Sequence, residues 1–444
     1  MKTFLDWSAY KDAGMGDAYA DIPKHGGDYA KAIAVCINSR QCEAEGKQVM
    51  CPSFKVTQNP NLSTGGRVKL LKAALQSDEH NCELFQPELV EAMSLCVSCK
   101  GCKRECENNI DMPLIKAEYM AQFRERHGGN LRSALFASTP RWLHQFPWLR
   151  HLIKLRNRSG FMRSVTARLL GLNPDMALPV PSGTKPDWPT TTEPFDSKHE
   201  KPVVILADTF SRHFEPEVVS AALRVLKSLG YAPRVLEPPK KQQPYCCGRT
   251  YLAQGMVTKA RENCSRLVNA LEPFVVQGIP IVGMEASCVL GLRDDAKALG
   301  LGDVVNKVAS ATLLLEEFLA KESKTQTLAF SNTKTLPEKL LIHGHCHQKA
   351  VGAMKSVRRL LKLIPGLNFT LLDTGCCGMA GTFGLEREHA EISSKMAQTA
   401  LLPSLKSNLP GETIANGFSC RHQIEHTTGN RPRHLAQFLA ELSD

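Results

Sequence analysis

Sixteen cysteines occur in 444 residues, and most of them fall into spaced groups. The tightest is Cys96-Val-Ser-Cys99-Lys-Gly-Cys102-Lys-Arg-Glu-Cys106, a C-x2-C-x2-C-x3-C run. That spacing wraps three thiolates around one iron–sulfur cube and sends the fourth to a neighbouring cluster. The proline that usually follows the fourth cysteine is absent. It occurs instead after Cys51, in an earlier group with Cys36 and Cys42. Two Cys-Cys-Gly triplets come much later, at Cys246-Cys247-Gly248 and Cys376-Cys377-Gly378. Residues of this type and spacing carry electrons through metal–sulfur centres.

By the crossed-ligand logic of two-cluster ferredoxins, Cys96, Cys99 and Cys102 join Cys51 on one [4Fe-4S] cluster. Cys36, Cys42 and Cys106 then serve a second site. That site shows three thiolates, which leaves open a three-iron cluster, a non-cysteine ligand or no cluster. Zinc also suits C-x2-C spacing, but four thiolates in one run with three more upstream favour cubes. Cysteines that were merely buried apolar residues would not need such regular spacing, with Lys100, Gly101, Lys103 and Arg104 between them. The three cations are expected to tune the cluster potential.

Nearer the end of the chain, Cys346, Cys376, Cys377 and Cys420 supply four more thiolates, with His345, His347 and His422 beside them. Adjacent cysteines bind poorly as two corners of an ordinary cube. A non-cubane iron–sulfur cluster and a mixed Cys/His zinc site are both open. The earlier triplet is poorer in thiolates. Cys246, Cys247 and Cys288 make at most three, with Asp208 standing where Cys346 stands later. It is read as a degenerate copy that keeps the fold, with its three cysteines as the weaker metal candidates and loss of the metal left open. Cys82 and Cys264 stand alone and are expected to be buried as small apolar residues.

The elements that must position these groups divide at a run of prolines, at 174, 179, 181, 186, 189, 194 and 202. Such density marks a linker. Ahead of it lie an extension (1–20), a mainly α, dicluster-ferredoxin-like domain (21–128), and a basic helical connector that runs into the linker (129–202). Helices are expected after the Gly65-Gly66 break and from Asp111 to about Arg126. Beyond the linker, β-branched runs at 203–207, 234–237, 279–283, 340–343, 369–373 and 413–416 alternate with helical patterns such as 215–229. That alternation predicts parallel sheets in two duplicated α/β lobes, 203–322 and 338–444. From doublet to last cysteine the two lobes have 40 and 42 intervening residues. Each ligand candidate follows a predicted strand, where ligands gather in open α/β sheets.

Composition narrows the function further. Hydrophobic residues at 43% and charged residues at 22% fit a globular chain. Near the first residues there is no apolar h-region, and no run approaches ~18 apolar residues, so a cytoplasmic chain is expected. Thiols there bind metal more often than they form disulfides. The formal charge of +11 falls to roughly +5 to +7 if two or three clusters are held. What remains is concentrated between Asn130 and Pro174, which has eight Lys and Arg and no Asp or Glu, interleaved with Trp142, Phe146, Trp148 and Phe161. A connector packed on its own domain would explain this, and so would an acidic partner or peripheral contact with the inner face of a membrane. No nucleic-acid motif accompanies the charge. No flavin or nicotinamide fingerprint is present, so catalytic residues are not assigned.

Several motifs together resemble the iron–sulfur half of FAD-linked 2-hydroxyacid dehydrogenases. They include Met50-Cys51-Pro52, Ser63-Thr64-Gly65-Gly66-Arg67, Leu95-Cys96, Cys246-Cys247-Gly248-Arg249 and Glu285-Ala-Ser-Cys288. The match is closest in His343-Gly-His-Cys346-His347-Gln348-Lys349, Gly375-Cys376-Cys377-Gly378 and Ser419-Cys420-Arg421-His422. The family includes glycolate oxidase iron–sulfur subunits, the C subunit of anaerobic glycerol-3-phosphate dehydrogenase and the C-terminal halves of D-lactate or D-2-hydroxyglutarate dehydrogenases. More distantly, the lobes resemble the B subunit of heterodisulfide reductase. The resemblance implies an electron-transfer subunit that takes electrons from reduced FAD on a partner chain and passes them to a quinone or other membrane acceptor. This sequence departs from the wider family in its first cysteine group and in the single cysteines, Cys288 and Cys420, that end the lobes. Two other functions fit the same cysteines: a disulfide-reductase-like catalytic subunit and a zinc-stabilised assembly scaffold.

Overall fold

The structure is a computed structural model that describes every residue except 17–19, 45–48, 185, 196–200, 241, 326, 329, 331–335 and 444. Two parallel sheets organise the chain after residue 200. In the first, β1 (Pro202–Leu206), β2 (Ala232–Val235), β3 (Ile281–Gly283) and β4 (Thr312–Leu314) run in the order β2-β1-β3-β4. In the second, β5 (Leu340–His343), β6 (Phe369–Leu371) and β7 (Glu412–Ala415) run β6-β5-β7. Each sheet thus puts its first strand between the next two, an arrangement compatible with two α/β lobes. Registers agree as well: Leu206 pairs with Gly283, and His343 with Ala415. Six strands lie where alternation predicted them. β4 escaped notice because three residues between two helices are too few to show a period.

Opposite faces of β1 bury into different cores. Val204 and Leu206 face a core shared with the N-terminal helices, including Ile33, Leu71 and Ile115. Val203 and Ile205 face a core shared with Leu340, Ile342, Ile414 and Phe438 of the second lobe. This is the period of two along a strand, with both faces covered as a parallel sheet requires. The first lobe is therefore the middle layer.

The N-terminal part is helical, with its longer helices at Thr64–Gln76 and Met112–His127. Ser63 caps the first through Gly66 N, and Asp111 caps the second through Leu114 N. Gly65 and Gly66 lie inside the first helix, contrary to the expected break. A Cβ on Gly66 would sit 2.0 Å from the Pro60 carbonyl oxygen. The pair permits close packing of backbone rather than stopping the helix.

The proline-rich stretch is a strap instead of a free linker. Asn173 N donates to Leu385 O of the second lobe, Ser182 N to His213 O, and Trp188 Nε1 to Ser220 Oγ of the first. At its far end Thr191 N bonds Val235 O, extending the edge of β2. No helix among the described residues is long and apolar enough to cross a membrane.

Candidate metal–sulfur centres

Cys51, Cys96, Cys99 and Cys102 are all buried, and their charges act on one another. Burial is the main cause that raises the Cys99 and Cys102 thiols well above the ordinary range and lifts Cys51 to about 11. Such thiols are costly to ionise without a cation among them. Burial first, with Cys106 and then Cys42 after it, raises Cys36, and Cys42 also acts on Cys51. Backbone donors already point at sulfur, from Thr64 N to Cys51 Sγ at 3.0 Å and from Gly65 N to Cys42 Sγ at 3.2 Å.

The loops are held from behind by buried charge. Arg67 donates to Ala92 O and Ser53 Oγ, fixing the turn after Cys51 to the helix before Cys96. Lys116 Nζ reaches the carbonyls of Ser94 and Cys96, and Glu105 accepts from Val49 N and Met50 N. Cys51, Ser98 and Lys100 all have positive φ, 53°, 50° and 62°. Non-glycine residues held there cost about 1–3 kcal/mol each and cluster at functional sites.

Lys100 and Lys103 turn away from the thiols. Lys100 is buried and ion-paired with Asp294 and Asp295 of the first lobe, and Lys103 with Asp294 and Asp111. Their charges are paired with carboxylates where the Cys96–Cys106 segment meets the first lobe.

In the second lobe, a ring nitrogen of His343 and the sulfurs of Cys377 and Cys420 all lie within 4.8 Å of one another, buried. Cys377 is the hub. Hydrogen bonds from Cys376 and then Cys420, with His343 nearby, hold it well below the usual thiol range. Cys346 is likewise held down, first by Cys376 and then by His345, whose Nδ1 is 4.0 Å from Cys346 Sγ. Four sulfurs gathered with an imidazole in this way make a donor set that fits a soft cation or an iron–sulfur centre. Lys349 Nζ lies buried against the carbonyls of Thr374 and Gly375, facing the same four sulfurs. His347 and His422 are not in this group. His347 Nε2 contacts Ser98 O at 3.0 Å, and His422 Nε2 contacts Ala177 O at 2.9 Å. His343 and Lys349 were missed, although both stand in the His343-to-Lys349 motif that the sequence shows.

Both Cys-Cys-Gly turns have the same local form. Gly248 N and Gly378 N each donate back to the first sulfur of their doublet, at 3.4 and 3.3 Å. Both glycines have positive φ, and a Cβ on Gly378 would lie 2.1 Å from Ser393 O.

The first lobe gathers Cys246, Cys247 and Cys288, with the doublet's second sulfur bonded to both others. Counted from the paired strand ends, Asp208 corresponds to His345 and Thr209 to Cys346. The missing thiolate is therefore replaced by Thr209, whose side chain bonds Cys246, and not by Asp208. Asp208 is an N-cap that accepts from Phe210 N, Ser211 N and Ser211 Oγ. Cys264 is fully buried in its helix, as expected, whereas Cys82 is exposed, contrary to expectation.

The N-terminal thiol loops and both lobes meet. Ser98 O and His347 Nε2 link the Cys96–Cys99 loop to the helix that begins at Cys346, and the charge of Cys346 acts directly on Cys99. Arg249, next to the first doublet, bonds both Asp295 and His347. Glu285 accepts from Ser287 in its own lobe and from Phe418 N, two residues before Cys420, in the other. Nearby, buried Glu316 accepts from Gln348 and Asn416. Burial pushes that carboxyl up to about 7. A raised carboxyl gives its full stability below its unfolded value and loses it as pH rises. We expect stability to fall by up to about 3 kcal/mol between pH 4.5 and 7 on this account. Thermal melts of Glu316→Gln across that window should show a flatter profile than the parent.

Arrangement and sequence together define a protein with a cysteine-rich domain. Residues 340–417 match the family model CCG, a cysteine-rich domain. The chain is 25% identical to D-2-hydroxyglutarate dehydrogenase of Escherichia coli (strain K12), over 90% of this chain and 42% of that protein. It is 29% identical to the C subunit of anaerobic glycerol-3-phosphate dehydrogenase of the same organism, over 58% of this chain and 63% of the relative. Lactate utilization protein A of Bacillus velezensis is 27% identical over 41% of this chain and 74% of its own. The chain thus spans less than half the length of the D-2-hydroxyglutarate dehydrogenases it matches. No solved structure matches it. The likenesses are to two kinds of dehydrogenase and a lactate utilization protein, and the CCG domain is what this chain itself carries.

Proposed function

We propose that this chain is an iron–sulfur electron-transfer subunit of a flavin-linked 2-hydroxyacid dehydrogenase, with the FAD on a partner chain and a quinone or other respiratory acceptor downstream. One observation supports it above the rest: Ser98 and His347 join the N-terminal thiol loop to the second-lobe thiols, so two donor sets share one boundary. In this reading Cys51, Cys96, Cys99 and Cys102 hold a [4Fe-4S] cluster in a ferredoxin-like domain. Cys36, Cys42 and Cys106 serve a second, and Cys346, Cys376, Cys377 and Cys420 hold a metal–sulfur centre with His343 beside it. Bound clusters would supply one-electron steps at potentials set by burial and by hydrogen bonds to sulfur. The chain's own part is to keep water out, to aim Thr64 N, Gly65 N, Gly248 N and Gly378 N at sulfur, and to place Lys349 against the negative charge. Anaerobically purified protein should contain iron and acid-labile sulfide and give a cluster EPR signal on reduction. A co-purifying flavoprotein that bleaches with a 2-hydroxyacid should reduce it. Zinc alone, without sulfide, would overturn the reading in favour of a zinc-stabilised scaffold.

A further inference from the structure

The helical stretch before the strap is the part of the molecule that the thiol centres do not explain. It forms four helices, Leu131–Ala137, Thr139–Gln145, Leu149–Arg158 and Gly160–Leu170, and the last two pack against each other. Some of its cations are committed to the fold. Arg156 is buried and donates to the carbonyls of Asn173 and Met176, and Arg132 pairs with Glu386 and Glu388. Arg158 and Arg168 are exposed and have no carboxylate partner among the described residues.

The same two helices carry large exposed apolar side chains. Trp148, Leu152 and Leu155 recur at the spacing of one helix face, and each is at least half exposed. On the next helix Phe161 and Leu169 are both 76% exposed. Scattered exposed leucines need no explanation, but five large apolar residues within 22 that contain no acid do. An apolar stripe flanked by unpaired arginines is the build of a helix lying in a bilayer interface, its rings and leucines among the acyl chains and its cations on the headgroups. An acidic protein would satisfy the arginines and leave Phe161 and Leu169 without an apolar counterpart.

We propose that residues 148–169 dock the protein on the surface of an anionic lipid bilayer. Docking does not depend on the cluster reading, because it rests on exposed side chains of a stretch that contains no cysteine.

The test is flotation of the full, anaerobically purified protein with vesicles of phosphatidylcholine alone or mixed with phosphatidylglycerol. Binding is expected to the phosphatidylglycerol vesicles, weakening as salt rises. At about 1 kcal/mol per basic residue near an anionic surface, Arg158→Gln with Arg168→Gln should weaken partition by on the order of 30-fold. Leu155→Ser with Phe161→Ser should weaken it at unchanged charge. All four positions are exposed, so circular dichroism and iron content should stay at parental values. As a second measurement, brominated lipid should quench fluorescence in the parent, and Trp148→Phe should remove most of that quenching. The proposal is overturned if neither vesicle binds, if neutral and anionic vesicles bind equally, or if both double variants bind like the parent. It is overturned equally if an acidic protein protects these residues while vesicles do not.

Discussion

Replacing Cys377 by serine is expected to empty the second lobe of metal while the N-terminal iron stays. Cys377 is the sulfur that bonds Cys376 and Cys420 and faces His343, so no other single change removes as many contacts from that donor set. Serine keeps the volume and loses the soft ligand. Cys376 and Cys420 are pushed well above the ordinary thiol range, first by their hydrogen bonds to neighbouring cysteines. Without Cys377 the set is one soft ligand short, and the sulfur that links Cys376 to Cys420 is gone. Metal and sulfide per chain should fall by the second-lobe share, with the EPR signal of the remaining clusters intact. Retention of parental metal content would show that the lobe binds through other residues. A matched Cys247→Ser variant in the first lobe should change metal content little, because Thr209 there holds the position of the fourth thiolate.

Replacing Glu215 by glutamine should produce the largest loss of stability away from the thiols. Glu215, at the start of the helix Pro216–Ser228, is paired with Arg421, which follows Cys420 in the other lobe, and both side chains are 3% exposed. Arg421 also donates to Ala415 O, and the more exposed Arg431 reaches Glu215 from outside. Burial alone would raise the Glu215 carboxyl, but Arg421 and then Arg431 bring it down to about 2. Removing one member of a buried pair leaves the other charge stranded, at a cost of about 3–5 kcal/mol. The pH dependence has the opposite sign to that of Glu316. A depressed carboxyl contributes stability that is full above about pH 4.5 and is lost as pH falls towards 2. Glu215→Gln should therefore lower the denaturation midpoint at pH 7 and lose part of the parent's acid sensitivity. Arg421→Met in the same chain should recover part of the loss, since an apolar replacement of both charges costs less than a stranded one.

Much of the fold was legible because its signals are local. A parallel strand buried on both faces is a short β-branched run, and β1, β5 and β7 stand out on that basis alone. Asp111 and Pro113 announced the start of a helix that the structure begins at Met112. β4 was not legible, since it gains its identity from pairing with β3 and not from any pattern of its own. Nor could the sequence show that the strap bonds both lobes, because each of its hydrogen bonds joins residues far apart in the chain.

The candidate centres divide in the same way. Spacing determined which thiols are neighbours along the chain, because a C-x2-C loop or a Cys-Cys-Gly turn closes on itself. It also marked the basic, acid-free stretch from residue 130 to 174, since charge is a property of composition. Only the tertiary structure decided that His343 and not His347 joins the second-lobe sulfurs. It alone aligned Thr209, and not Asp208, with Cys346, and spent Lys100 and Lys103 on an interface. Those outcomes depend on strand register and on which surfaces meet. Register is set by pairing across the sheet, and meeting surfaces by burial of side chains from distant segments. Neither is written in the neighbours of any one residue.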